Sequence, residues 1–109
     1  MPRDVKSPTF DEHNYPTEET LETIKTWPWG EYVGLVGFLE EAVCKPYGSV
    51  CVHESTGILN EPVLKVRFVT GGWSGNEDII AALHANFGFW LTCWESTTRG
   101  GLWTFEVPR

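Results

Sequence analysis

Residues 63–83 read V-L-K-V-R-F-V-T-G-G-W-S-G-N-E-D-I-I-A-A-L, and the period of their side chains changes midway. Leu64, Val66 and Phe68 alternate with Lys65 and Arg67, the period of two expected of a strand with one wet face. From residue 77 to 87 the apolar positions are Ile79, Ile80, Leu83 and Phe87, which line one side of a helix. Between the two lie three glycines, a tryptophan and a serine. A strand, a glycine turn and a helix in this order admit three readings of the turn: a phosphate cradle, a nucleophile elbow, or a plain joint.

The cradle needs G-x-G-x-x-G or G-x-x-x-x-G-K-S/T, and neither is present. Glu77 and Asp78 would also repel a phosphate from the positive end of the helix. The elbow needs G-x-S-x-G. In Gly72-Trp73-Ser74-Gly75-Asn76 the second glycine comes one place early, and His84 lies ten residues further on. The joint fits better. Ser74 and Glu77 have capping-box spacing, in which the serine accepts from the Glu77 amide and Glu77 reaches back, with Asn76 as a competing cap. That leaves Trp73, a large apolar side chain on a turn, without an evident partner.

Working outward, V-L-K-V-R-F-V-T is preceded by S-V-C-V-H-E-S, a second strand across the loop S-T-G-I-L-N-E-P. After the helix, F-W-L-T-C-W-E-S and L-W-T-F-E-V read as two strands joined at T-T-R-G-G. Upstream, Thr17 caps a helix to about Trp27, with Glu18 and Glu19 in its first turn and Pro28 at its end. The run Glu31–Lys45 fits a helix through Tyr32, Leu35, Val36, Leu39 and Val43, although Gly34 and Gly37 cost about 1 kcal/mol each; a strand over 32–39 is the alternative. Residues 1–16, with three prolines, read as a flexible arm that Phe10 and Tyr15 would tie down. The expected fold is α+β: two N-terminal helices, then ββαββ, with a mostly antiparallel four-stranded sheet packed with helices, over one domain at 17–109.

The register of the last hairpin decides where the aromatics point. A two-residue turn at Arg99-Gly100 sets Trp94 against Phe105, with Trp90 on the face of Trp103 and Phe105. A three-residue loop pairs Cys93 with Phe105 and moves Trp90 and Trp94 to the face of Thr104 and Glu106. Both registers leave large apolar groups on both faces. We therefore expect the helices near 17–27 and 31–45 to cover both; the alternative is one aromatic contact face.

Fifteen Asp and Glu against eight Lys and Arg give a formal charge of −7. That balance disfavours a sequence-independent grip on nucleic acid or on an anionic membrane and suits a partner with a basic surface. No run approaches the ~20 apolar residues of a membrane span, and no apolar core of signal-peptide length opens the chain. Cys44, Cys51 and Cys93 are an odd, uneven set, which points to free thiols in a cytoplasm rather than a disulfide framework. Cys51 and His53 point the same way on a strand, but no C-x-x-C spacing announces a metal, and no cofactor is expected. Glu95 and Glu106 are placed for cross-strand pairing rather than for acid–base work.

Trp73, Trp90, Trp94 and Trp103, with Arg67 and Arg99, are the residue types that anchor interfaces and stack on flat ligands, and they form the candidate binding set. The segments G-G-W-S-G-N-E-D-I-I-A-A-L and F-W-L-T-C-W-E-S-T-T-R-G-G-L-W-T-F-E-V, within residues 63–107, resemble small uncharacterised proteins of actinobacterial bacteriophages and prophages. The resemblance implies a viral accessory protein acting in a bacterial cytoplasm, and by analogy an inhibitor or modulator of a host or defence protein. Three functions follow as expectations. The first is a non-enzymatic protein-binding module, steered by Asp11, Glu12, Glu18, Glu19 and Glu22. The second is a nucleotide sponge that stacks a base on Trp73 or Trp94 and uses Arg67 or Arg99 for its anion. The third is a small hydrolase, which needs Ser74 or Cys51 beside a histidine. An exposed tryptophan face would serve equally as a homodimer seam.

Overall fold

Alternating side chains on three strands build one half of the core. The computed structural model describes residues 6–109, so the first five residues of the expected arm lie outside the described residues. Its elements are α1 (Glu18–Lys25), α2 (Tyr32–Ala42), β1 (Ser49–Thr56), β2 (Pro62–Val69), α3 (Ser74–Ala85), α4 (Phe87–Cys93), β3 (Trp94–Thr98) and β4 (Leu102–Pro108). The fold is α+β, with four antiparallel strands in the order β1-β2-β4-β3. Leu64, Val66 and Phe68 lie opposite Val107, Phe105 and Trp103 on β4, with Val52 and Val50 alongside on β1. Ile24 of α1, Leu35 and Leu39 of α2, Ile79 and Leu83 of α3, and Phe89 of α4 join this face in one buried core.

The helices cover that face alone, which corrects the expectation of covers on both. The opposite face presents Cys51, His53, Lys65, Arg67, Thr104 and Glu106, and water solvates it, as an antiparallel sheet permits. Lys65 bridges Glu95 of β3 and Glu106 of β4, the latter at 3.2 Å. Its hydrogen bond to Glu95 raises its pKa above the ordinary lysine value.

Local chemistry sets the element ends. The Thr17 hydroxyl accepts from the Thr20 amide at 3.3 Å and starts α1. Residues 32–42 are helix rather than strand. The Trp27 ring lies over Gly34, where a Cβ would stand 3.2 Å from it, and the Trp27 indole donates to the Glu31 carbonyl at 2.7 Å. Residues 9–17 double back over the start of α1. The Thr9 amide donates to the Thr20 hydroxyl at 2.8 Å, the Thr17 amide to the Thr9 carbonyl at 3.1 Å, and Phe10 bridges Pro16.

The C-terminal hairpin keeps the expected Trp94–Phe105 pair but reaches it through a loop that neither expected register has, and Cys93 does not pair with Phe105. Thr98 pairs with Leu102 across a three-residue loop, yet Trp94 lies opposite Phe105 because a bulge between Trp94 and Ser96 absorbs one residue. Gly100 and Gly101 supply the positive φ of that loop, at 98° and 86°. Residues 87–93 are a helix, which corrects the strand expected over 89–96. The Asn86 side chain caps it by accepting from the Phe89 amide at 3.2 Å, and donates to the carbonyls of Ile24 and Trp27 at 2.9 and 3.2 Å. Those two bonds tie the start of α4 to the end of α1, where a strand would not reach.

Candidate functional site

The glycine turn is a joint, though without a capping box. Trp73 is the N-cap residue of α3 and makes no side-chain cap bond. Ser74 instead shares a hydrogen bond with the Tyr15 hydroxyl at 2.8 Å, and Glu77 accepts from the Thr70 hydroxyl at 3.3 Å. The residue that closes the joint is Asn76, which is fully buried. Its oxygen accepts from the Cys44 amide at 2.8 Å, and its nitrogen donates to the carbonyls of Cys44 and Thr70 at 3.3 and 3.2 Å. Gly71 allows the Tyr47 carbonyl to approach where a Cβ would stand only 1.5 Å from it. Trp73 is half-buried between Tyr15, at a ring separation of 4.7 Å, and Tyr47, stacked at 5.1 Å, and it folds over Gly75. Its flanking groups thus come from its own chain.

The other three tryptophans meet elsewhere. Trp90 stacks on Trp94 at 6.0 Å, and its ring meets those of Trp103 at 5.6 Å, Phe105 at 5.7 Å and His84 edge-on at 4.7 Å. Beside them opens a groove of about 350 Å³, lined by Glu77, Ile80, Ala81 and His84 along one side of α3 and by Trp90 and Trp103. The indole nitrogen of Trp94 donates to the Thr97 hydroxyl at 3.0 Å, which leaves its ring 43% exposed.

Sequence reading missed the neighbouring surface. Phe87 and Leu91, at i and i+4, mark the outward side of α4 and are 74% and 71% exposed, and Trp94, the C-cap at i+7, continues the line. Trp29, 72% exposed, extends this patch, because its ring lies against Gly88 where a Cβ would stand 2.7 Å away. The inward side carries Phe89 and Cys93, both buried. The 87/91/94 spacing was the available signal, masked because Phe89, Trp90 and Cys93 interleave with it.

The two arginines of the candidate set do not join the tryptophans. Arg67 pairs with Thr104 and Cys51 on the open face of the sheet, and Arg99 stands exposed at the hairpin tip without lining the groove. The ionisable groups on the groove wall are Glu77 and His84, so it offers no fixed cation to a phosphate. Ser74 is engaged by Tyr15 and His84 by Trp90, and Cys51 lies on the far side of the sheet. Burial pushes the Cys93 thiol up to about 12. No group of three or more His, Cys, Asp or Glu among the described residues is placed to hold a metal ion, and no helix among them is long and apolar enough to cross a membrane.

The formal charge is unevenly shared. Residues 17–45 and 74–93, which hold the helices, carry eight acids against Lys25 and Lys45, whereas residues 46–73 and 94–109, which hold the strands, carry four acids against four bases. The apolar patch therefore lies on the acidic side of the molecule. Compared with protein-family models, curated proteins and solved structures, the chain matches none, and its function is read from this groove and helix face.

Proposed function

We propose that the protein is a non-enzymatic binding module that docks a protein partner on the outward face of α4 and the adjoining tryptophan groove. The observation that carries this reading is the run Trp29, Phe87, Leu91 and Trp94, large apolar side chains left in water on an otherwise well-packed layer. Aromatic anchors of this kind dominate interface energetics. The acid excess of the same layer selects a partner whose apolar cleft is rimmed by lysines and arginines, and raises the encounter rate at low salt. A bacteriophage origin, which the sequence resemblance implies, would put that partner in a bacterial host, where binding would inhibit or modulate it.

Capture from bacterial lysate by wild type and by Leu91→Asp tests the reading. A basic protein held by wild type, lost with Leu91→Asp and weakened by salt is expected. An identical set of captured proteins from both baits would overturn it.

A further inference from the structure

We propose that β1 is the seam of a homodimer, in which the β1 strands of two copies pair antiparallel about a two-fold axis and fuse two four-stranded sheets into one of eight. The two edges of the sheet differ in the features that discourage pairing. β3 has five residues and a bulge between Trp94 and Ser96, and its Glu95 is drawn onto Lys65. β1 has eight residues in unbroken register with β2 and contains no proline, lysine or arginine. Among the described residues, the only backbone groups that bond to β1 belong to β2. Its one carboxylate, Glu54, is paired with Arg109 at 2.9 Å. A long, regular edge with a free row of amides and carbonyls is a template for another strand.

The register follows from the faces. A two-fold perpendicular to the sheet keeps both helical layers on one side, so each residue must pair with one on its own face. Two such registers pair seven residues. Centring on His53 sets two imidazoles against each other and Val52 against Glu54. Centring on Val52 likewise sets one valine, Val50, against Glu54, but it sets Val52 against Val52 of the second copy, which extends the core that Val50 and Val52 already flank. It also sets Cys51 opposite His53, and Ser49 opposite Ser55, on the open face. The Val52 register is the one the packing favours. A seven-residue ladder is small beside the ~1,200–2,000 Å² of stable complexes, so the dimer dissociates on dilution. Because α4 packs on β3 and β4, at the other end of the sheet, the dimer carries its two α4 patches at opposite ends and binds bivalently.

Sedimentation of wild type across a dilution series is expected to show a monomer–dimer equilibrium. His53→Cys places a thiol directly opposite Cys51 of the second copy. Opposed residues in an antiparallel pair have Cα atoms about 4.5–5.5 Å apart, within disulfide range. Mild oxidation should therefore yield a covalent dimer linked between positions 51 and 53. Ser49→Lys with Ser55→Lys sets lysines opposite each other across the seam and should sediment as a folded monomer. Leu91→Asp, which breaks the partner contact proposed above, should leave the dimer intact, so the two proposals fail separately. A wild type that remains monomeric at every concentration, or a dimer that survives the lysine pair, would overturn the inference.

Discussion

The joints at 70–76 and 86–94 are built on one plan and put to different uses. Each turns on a buried asparagine whose amide satisfies three backbone groups. Asn76 holds Cys44 twice and Thr70 once, and Asn86 holds Phe89, Ile24 and Trp27. In the first joint the adjacent aromatic, Trp73, is flanked by Tyr15 and Tyr47. In the second the adjacent helix turns Phe89 and Cys93 inward and leaves Phe87 and Leu91 in water. The same device therefore produces a sealed joint and an open one, and only the open one has apolar surface left over for a partner. A glycine-rich turn with a tryptophan attracts attention in a sequence, but here its tryptophan is engaged locally.

The largest effect that would break this parallel is on stability. Asn76→Ala removes three hydrogen bonds at a fully buried site and leaves the Cys44 amide without a partner, while the Cys44 and Thr70 carbonyls keep backbone donors. At about 1 kcal/mol for each lost bond, a loss of about 3 kcal/mol is expected. For a domain of this size that lowers Tm by on the order of 10–20 °C in a thermal melt. Asn86→Ala should cost nearly as much and should also abolish partner capture, because α4 loses its cap and its tie to α1. Asn86→Asp separates the two roles. It keeps the acceptor for the Phe89 amide but loses both donors to Ile24 and Trp27, so an intermediate Tm is expected. Equal melting of the Ala and Asp variants would place all of the stabilisation in the two donors.

Next in size is Trp73→Ala. It removes two ring pairs, each worth about 0.5–1.5 kcal/mol, together with a half-buried indole, so a loss of about 1–3 kcal/mol is expected in chemical denaturation. Partner capture should be unchanged. If capture fell while stability held, the sealed joint would be a binding site after all, and the comparison would invert.

The sequence made one of these joints readable and hid the other. The switch from period two to period 3.6 across Thr70–Asn76 is set by side chains that alternate cleanly on both sides, so the strand, turn and helix there were legible. The run F-G-F-W-L-T-C-W has hardly a polar residue to fix a period, and a short apolar aromatic run suits a buried strand as well as a helix. What decides it is Asn86 reaching Ile24 and Trp27, some sixty residues back in sequence, and Trp29 lying on Gly88. The tryptophans were legible as a set of interface-type residues. Their division into a group around Trp90 and an isolated Trp73 depended on α4 and on Tyr15 and Tyr47, which come from distant segments. The hairpin register had the same obstacle, since a bulge offset the longer loop.

Leu91→Asp and Phe87→Ala sharpen the comparison from the open side. Both side chains are largely in water, so each substitution should change stability by no more than about 0.5 kcal/mol in denaturant. Each should still weaken capture of the partner, Leu91→Asp more strongly because it brings a charge into the apolar contact.

The smallest effect concerns the inward side of the same helix. Cys93 is buried, and its thiol ionises at about 12 in the folded chain against 9.0 for a free cysteine. A native pKa raised above the unfolded one means that the unfolded state loses its proton first. The contribution is therefore complete below pH 9 and disappears as pH rises through about 12. Stability should be insensitive to this group near neutrality and should decline above pH 9, less steeply in Cys93→Ala than in wild type when denaturation midpoints at pH 8, 9 and 10 are compared. Burial also predicts the order of reaction with a thiol reagent at pH 8: exposed Cys51 first, half-buried Cys44 next, and Cys93 only as the domain opens. Fast labelling of Cys93 in the native protein would mean that α4 leaves the core while the sheet stays folded. The second joint would then be a hinge, and its exposed face would be one state of a moving helix.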